Sequence, residues 1–253
     1  LGVVATEMPK DWPVEALKAQ AVAARSYSYA VIKERQHLNF DVQNATSDQV
    51  FQFIDKTRHH VKFQKVISAV EQTTGEYLSL NHNLSPAKTF YHSDCGGATV
   101  SAKSVWGRSV TDLGTAKDQF CPQNPKAKWE YFIEQAELDQ LLNGKINQLK
   151  YTKYEDQERV SEIEVIRQNK KVILSGQQFR KLIGFEKIKS TQFQIEKIGT
   201  KYIFKGLGFG HGVGMCQWGS YKLAVSGQNY RQILNHYYPQ ARLNVRKSLI
   251  REL

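Results

Sequence analysis

The chain has 253 residues, 41% of them hydrophobic and 11% aromatic, and 35 Lys and Arg against 24 Asp and Glu give a net charge of +11. That composition supports a sizeable core in one large or two small domains and excludes a disordered tail, a collagen-like fibre and a disulfide-packed miniprotein. No apolar run approaches the roughly 20 residues that span a bilayer. The charge favours polyanionic partners, but with no zinc finger or RNP-type signature, nucleic acid is not expected among them.

In chain order, Leu1-Gly2-Val3-Val4 reads as the middle of a strand without an initiator Met, so an upstream segment is expected to have been removed, which leaves room for a signal peptide or lipid anchor. After Asp11-Trp12-Pro13, the Ala-rich stretch to about Arg35 predicts one long helix, because Pro suits a first helical turn and strong helix formers follow it. Lys18 and Arg25, seven residues apart, fall within about 20° of each other on one face. Such a pair is ordinarily a solvated basic stripe. A second helix is predicted from about His60 to Thr73, stopped by Gly75, with period-two strands over Glu76 to Leu80 and Ala87 to Tyr91. The latter runs into His92-Ser93-Asp94-Cys95-Gly96-Gly97, a strand end whose glycines permit a tight turn.

The middle third, about Pro125 to Ser190, predicts a short helix over Glu134 to Leu142, charged strands near Arg159 to Arg167 and Lys170 to Leu174, and a helix over Gly176 to Leu182. Residues 125–190 carry no catalytic cluster and read as an inserted or accessory subdomain between a first part, 1–124, and a last part, 191–253. Two further strands, Gln192 to Ile198 and Lys201 to Lys205, lead into a segment with six glycines in 14 residues, Gly206 to Gly219. It lacks the Gly-Lys-Ser/Thr ending of a phosphate-binding loop and reads instead as backbone pressed close to a neighbour, presenting His211, Gln217 and Trp218. Gln beside Trp suits a sugar, since the amide pairs with hydroxyls and the indole covers an apolar ring face. Helices near Gln217 to Val225 and Tyr230 to Tyr237 close the chain.

Three cysteines, Cys95, Cys121 and Cys216, allow one disulfide and leave a thiol over. Cys95 with Cys121 is the preferred pair, both being in loop contexts, and a disulfide would place the protein outside the cytoplasm. The competing reading makes His92, Cys95 and Cys121 ligands of a zinc ion. No Ser/His/Asp order or HExxH motif is present, which leaves Glu7, His92 and His211 as polar residues at element ends.

Three segments carry a more specific signal. Leu1 to Pro9 with Trp12-Pro13 and Glu15 to Tyr27 resembles the opening signature of the stage II sporulation protein D family. Phe90-Tyr-His92-Ser93 with Gly96-Gly97 and Val105-Trp106-Gly107 resembles its second motif, and Gly210-His211 through Gly219 with His236-Tyr-Tyr-Pro239 its third. The resemblance implies an α+β, SpoIID-like fold with a long N-terminal helix, mixed strands and an inserted middle subdomain. It further implies a lytic transglycosylase that cleaves the β-1,4 bond between N-acetylmuramic acid and N-acetylglucosamine in peptidoglycan, without a cofactor and outside the cytoplasm. On this resemblance Glu7 is the catalytic acid and base, and Lys18, Arg25, His92, Ser93, His211, Gln217 and Tyr221 contact the glycan. One carboxylate suffices because the muramic acid's own C6 hydroxyl replaces water, whereas ordinary hydrolysis needs two. A Glu in both roles needs a raised pKa. Two rival readings are hydrolysis with Asp48 or Asp94 as second carboxylate, and a non-catalytic wall binder that enhances a wall amidase.

Overall fold

The computed structural model describes residues 1–44, 48–80, 84–107, 113–121, 124–154, 158–168 and 170–246. In chain order the elements are α1 (Gly2–Glu7), α2 (Val14–Glu34), α3 (Lys56–Gln72), β1 (Glu76–Leu80), β2 (Tyr91–His92), α4 (Ala102–Trp106), β3 (Lys128–Glu134), α5 (Gln135–Leu141), β4 (Gln148–Lys153), β5 (Val160–Arg167), β6 (Lys170–Ser175), α6 (Gly176–Ile183), β7 (Phe193–Ile198), β8 (Lys201–Leu207), β9 (Met215–Cys216), α7 (Gln217–Val225), α8 (Tyr230–Tyr237) and β10 (Ala241–Val245). Helices and small antiparallel sheets are mixed, an α+β arrangement. The chain divides into two compact units, one of residues 1–91, 111–116 and 214–253, the other of residues 92–110 and 117–213.

The first unit is organised by α2. Its alanines give high helix propensity and leave little side-chain bulk, so neighbours can approach from several sides. Ala16, Ala19, Ala21, Ala23, Ala24 and Ala30 are all buried, together with Leu17, Val22 and Val31. Against this helix pack α1, α3, β1, α7 and α8. Burial on so many sides removes polar groups from water, and hydrogen bonds compensate. Ser26 Oγ donates to Val22 O and accepts from Leu78 N–H, each at 2.7 Å, while Thr89 Oγ1 donates to Ala23 O at 2.7 Å. Strand β1 pairs antiparallel with β10, Leu78 opposite Leu243, which ties the last described strand to the N-terminal half.

Two sequence expectations are corrected in this unit. Leu1 to Val4 do not form a strand: residues 2–7 are a helical turn and a half, closed by Ala5 N–H to Leu1 O and Met8 N–H to Val4 O. Val4 and Met8, four apart, are both buried, so helical packing has overridden the β preference of adjacent valines. Of the expected strand Ala87 to Tyr91, only Tyr91 lies in one, Tyr91–His92; upstream, Ala87 N–H bonds to Leu78 O at 2.8 Å.

The second unit is built on two three-stranded antiparallel sheets, β3-β8-β7 and the meander β4-β5-β6. Trp129, Ile133, Leu138, Ile163, Phe179 and Phe204 belong to its continuous core. Strand β3 alternates outward Lys128, Glu130 and Glu134 with buried Trp129 and Ile133, a period-two pattern thinly disguised by charge. Helix α6 begins with a capping box in which Ser175 and Gln178 satisfy each other's backbone N–H groups.

Because α2 is packed on so many sides, Ala23→Leu is expected to overfill its surroundings and lower unfolding free energy by about 1–3 kcal/mol in chemical denaturation. Lys33→Ala, at an exposed position of the same helix, should stay within about 0.5 kcal/mol of the parent.

Candidate active site

Glu7 is the last residue of α1, so it is not the acid of a following helix's first turn; α2 begins only at Val14. Its half-buried carboxylate accepts from Val50 N–H at 3.0 Å and from the side-chain amide of Gln217. Burial holds the Glu7 carboxyl above the usual carboxylate range, and the hydrogen bonds from Val50 and Gln217 oppose that rise without cancelling it. Gln217 opens α7 and is itself buried, with Nε2 3.5 Å from Oε1 of Gln20. Tyr91, held protonated by its burial and by the nearby Glu7 charge, donates to Gln49 Oε1 at 2.9 Å. The Asp48-Gln49-Val50 segment therefore supplies both a donor for Glu7 and an acceptor for a phenol beside it.

Lys18 and Arg25 share a face of α2, as their spacing predicts, but both engage protein atoms. Lys18 Nζ sits 2.7 Å from Glu15 Oε1 and lies over the ring of Tyr230, and Glu15 Oε2 accepts from Tyr230 N–H at 2.8 Å. The ion pair thus fastens α2 to the start of α8. Arg25 donates through Nη1 to the carbonyls of Thr73 and Glu76, both at 2.8 Å, clasping the turn between α3 and β1. The groups acting on the Glu7 carboxyl are its own burial, Val50 and Gln217, with neither cation among them.

The two alternative carboxylates are already occupied. Asp48 receives both guanidinium nitrogens of Arg35, at 2.5 and 2.9 Å, with Gln43 N–H at 2.7 Å and the Tyr27 hydroxyl at 3.1 Å. Burial works to raise its pKa, yet these donors outweigh it and hold Asp48 below its ordinary range. Asp94, in the second unit, accepts from Gly96 N–H and Asn124 Nδ2 at 2.8 and 2.6 Å, and burial keeps it above its ordinary range.

Near Glu7 in sequence and on α7, three aromatic rings form a cluster. Trp12 packs on Tyr221 at 5.0 Å and edge-on to Trp218 at 6.1 Å, and Trp218 stacks on Tyr221 at 5.1 Å. All three are partly exposed, and Lys222 Nζ lies over the Trp218 and Tyr221 rings. Rings of this kind offer an apolar face with polar edges. Trp218 was legible in the sequence beside Gln217, and Trp12 within the opening motif; Gln20 was not singled out, although a lone amide in a run of alanines is a signal of its own.

The second unit gathers His92 and His211, with ring centroids 5.4 Å apart, and Trp106, 5.3 Å from His211. Gly210, at φ +118°, makes this possible: a Cβ there would stand 2.7 Å from the Cβ of His92. His92 is buried and its Nδ1 lies 3.1 Å from Val213 O, so Nδ1 is the donor in that contact, and the buried Nε2 has no hydrogen-bond partner among the described residues. His211 has the opposite tautomer, since its Nδ1 accepts from Val213 N–H at 3.0 Å, leaving Nε2 as donor. One acceptor and one donor imidazole are thus provided by a single residue's backbone. Ser93 is exposed beside them.

Cys95 and Cys121 are brought together, but the expected disulfide is not formed: their sulfurs are 3.2 Å apart and the three cysteines contain no disulfide. His92, the third ligand of the alternative zinc reading, is engaged elsewhere; the group facing both sulfurs is Asp118. Cys216 is buried in the first unit, where its sulfur caps α7 by accepting from Gly219 N–H.

Residues 1–80 match the family model described as Stage II sporulation protein, SpoIID, and residues 117–214 match a domain of unknown function, DUF8618. Similar proteins include an uncharacterized protein of Brachyspira hyodysenteriae, 34% identical over 94% of this chain and 63% of the relative. The stage II sporulation protein D of Bacillus subtilis is 28% identical over 94% of this chain and 71% of its own length. The amidase enhancer of the same organism is also 28% identical, again over 94% of this chain but only 39% of the relative.

The raised Glu7 pKa has a consequence for stability. Below its ordinary value of 4.5 the carboxyl is protonated folded or unfolded and has no effect; as pH rises past that value, the unfolded chain ionises more readily and folding is weakened until the folded pKa is passed. Glu7→Gln, which keeps an acceptor for Val50 N–H, is expected to raise Tm at neutral pH, with the gain fading as pH falls toward the ordinary carboxylate range. Thermal melts of both proteins across that window check the sign.

Proposed function

The chain belongs to the stage II sporulation protein D family, and on that premise we propose that it cleaves peptidoglycan glycan strands as a lytic transglycosylase, with Glu7 as the only acid and base. The observation that carries this reading is the contrast between carboxylates. Glu7 is half-buried with its carboxyl held above the ordinary range, the direction a general acid requires, whereas the donors around Asp48 hold it below its own range and Asp94, though also raised, is buried on Gly96 N–H and Asn124.

In the proposed reaction the Glu7 carboxylic acid gives its proton to the bridging oxygen as the bond from the muramic acid C1 breaks. The resulting carboxylate then takes the proton of that sugar's C6 hydroxyl as O6 bonds to C1. Glu7 ends as it began, no water is consumed, and the products are a 1,6-anhydro muramic terminus and a free N-acetylglucosamine hydroxyl. Gln217 keeps the carboxylate oriented through both proton transfers, and Val50 N–H stabilises the charge between them. Trp12, Trp218 and Tyr221 form the platform on which a sugar ring stacks.

In the second unit His92, Ser93 and His211, the residues of the family-like motifs, are the proposed glycan contacts. Lys18 and Arg25 act in this proposal as positioning residues, because their donors fasten α8 and the α3–β1 turn to α2. A charge of +11 draws the protein to anionic wall material outside the cytoplasm, an attraction that salt weakens.

Mass spectrometry of products from intact and amidase-stripped peptidoglycan tests the reading. Wild type should release 1,6-anhydro termini, and Glu7→Gln should lower the rate by about 10²- to 10⁴-fold, the usual worth of a general acid or base. Reducing-end products from wild type would mean hydrolysis. No products, with stimulation of an added wall amidase, would favour the second reading, which rests on the similarity to the amidase enhancer of Bacillus subtilis. Trp218→Ala is expected to raise KM about tenfold, equivalent to about 1.4 kcal/mol of lost binding, with a smaller effect on kcat.

A further inference from the structure

Cys95, Asp118 and Cys121 form a cluster that the glycan chemistry does not use. All three are buried in the second unit, at 0%, 2% and 0% exposure. Their ligand atoms converge: Cys95 Sγ to Cys121 Sγ is 3.2 Å, and Asp118 Oδ2 lies 3.6 and 3.3 Å from the two sulfurs. The convergence is built by the backbone. Asp118 N–H donates to Gly97 O at 2.9 Å, and Asn124 Nδ2 to Asp94 Oδ2 at 2.6 Å, so the loops carrying Cys95 and Cys121 are fastened on both flanks. Gly208, at φ +80°, lets a third strand of backbone press against the Cys95 loop, where a Cβ would stand 2.8 Å from Asp94 O.

We propose that Cys95, Asp118 and Cys121 are ligands of a structural zinc ion. Tetrahedral zinc with bonds of about 2.3 Å to sulfur and about 2.0 Å to oxygen separates two sulfurs by about 3.8 Å and a sulfur from an oxygen by about 3.5 Å. Both sulfur to oxygen distances lie close to that spacing, and the sulfur pair is nearer to it than to the about 2.05 Å of a disulfide. Charge points the same way. Two thiolates and a carboxylate around a divalent ion leave one net negative charge, and the buried guanidinium of Arg159, which donates to Cys95 O at 2.5 Å, offsets it. A disulfide would instead leave the Asp118 carboxylate facing two sulfurs with no proton to give.

The ion's place is three residues beyond His92, in the loop that also carries Ser93, so coordination would stiffen that strand end and shield the thiols from oxidation. The test uses the full chain, purified without chelator under reducing conditions, with zinc measured by elemental mass spectrometry. About one equivalent is expected, falling to background in the Cys95→Ser, Cys121→Ser double variant and markedly reduced in Asp118→Asn, whereas His92→Gln should retain it. Replacing zinc by cobalt(II) in wild type should give a thiolate-to-cobalt charge-transfer band, a readout that needs no variant to fold. Absence of metal and of that band, equal metal in the double variant, or a Cys95–Cys121 disulfide that forms in excess zinc would each overturn the proposal.

Discussion

Withdrawing one carboxylate from water while giving it, among the described residues, a backbone N–H and one amide is the constraint around which the first unit is arranged. Each donor to Glu7 comes from a different stretch of chain, Val50 from the extended segment after α2 and Gln217 from the start of α7. Too many donors would lower the pKa as they do at Asp48, and the acid would be lost. Too few would leave a buried charge uncompensated once the proton had gone. The two carboxylates sit in the same unit and show opposite outcomes, which makes the number and charge of the donors, rather than burial alone, the deciding variable.

The alanine-rich helix α2 makes that arrangement possible. With side chains no larger than a methyl group along much of its length, it can be approached by α1, α3, β1, α7 and α8, which together bring residues from both ends of the chain into one unit. Its polar residues are placed as fasteners. Lys18 and Glu15 hold α8, Arg25 holds the α3–β1 turn, and Gln20 meets Gln217, the residue that touches Glu7.

Much of this was legible in the sequence where a single physical signal dominated. Pro13 and the alanines marked α2, Gly75 marked the end of α3, and strands β1 and β7 lie where their sequences placed them, within a residue. Legibility failed where tertiary packing outweighed local preference. The valines of α1 suggested a strand, and the outward charges of β3 hid its alternation, because a short segment's periodicity is decided by what it packs against. At the site, the motifs singled out Glu7, Gln217, His92 and His211, but not the acceptors of Arg25, 48 and 51 residues away, or the Tyr27 and Arg35 partners of Asp48, 21 and 13 residues away, since such bonds leave no local trace. Cys95 and Cys121, expected to be disulfide-bonded, lie side by side without the bond, and Asp118 was not anticipated beside them.

The central claim is that one carboxyl group performs both proton transfers and that the sugar's own hydroxyl takes the place of water. Glycan cleavage carried out in ¹⁸O-labelled water, with the new muramic termini weighed by mass spectrometry, tests it most directly. The account predicts 1,6-anhydro termini that contain no label. Termini carrying one ¹⁸O would show that water attacks C1, and would contradict a mechanism in which Glu7 acts alone.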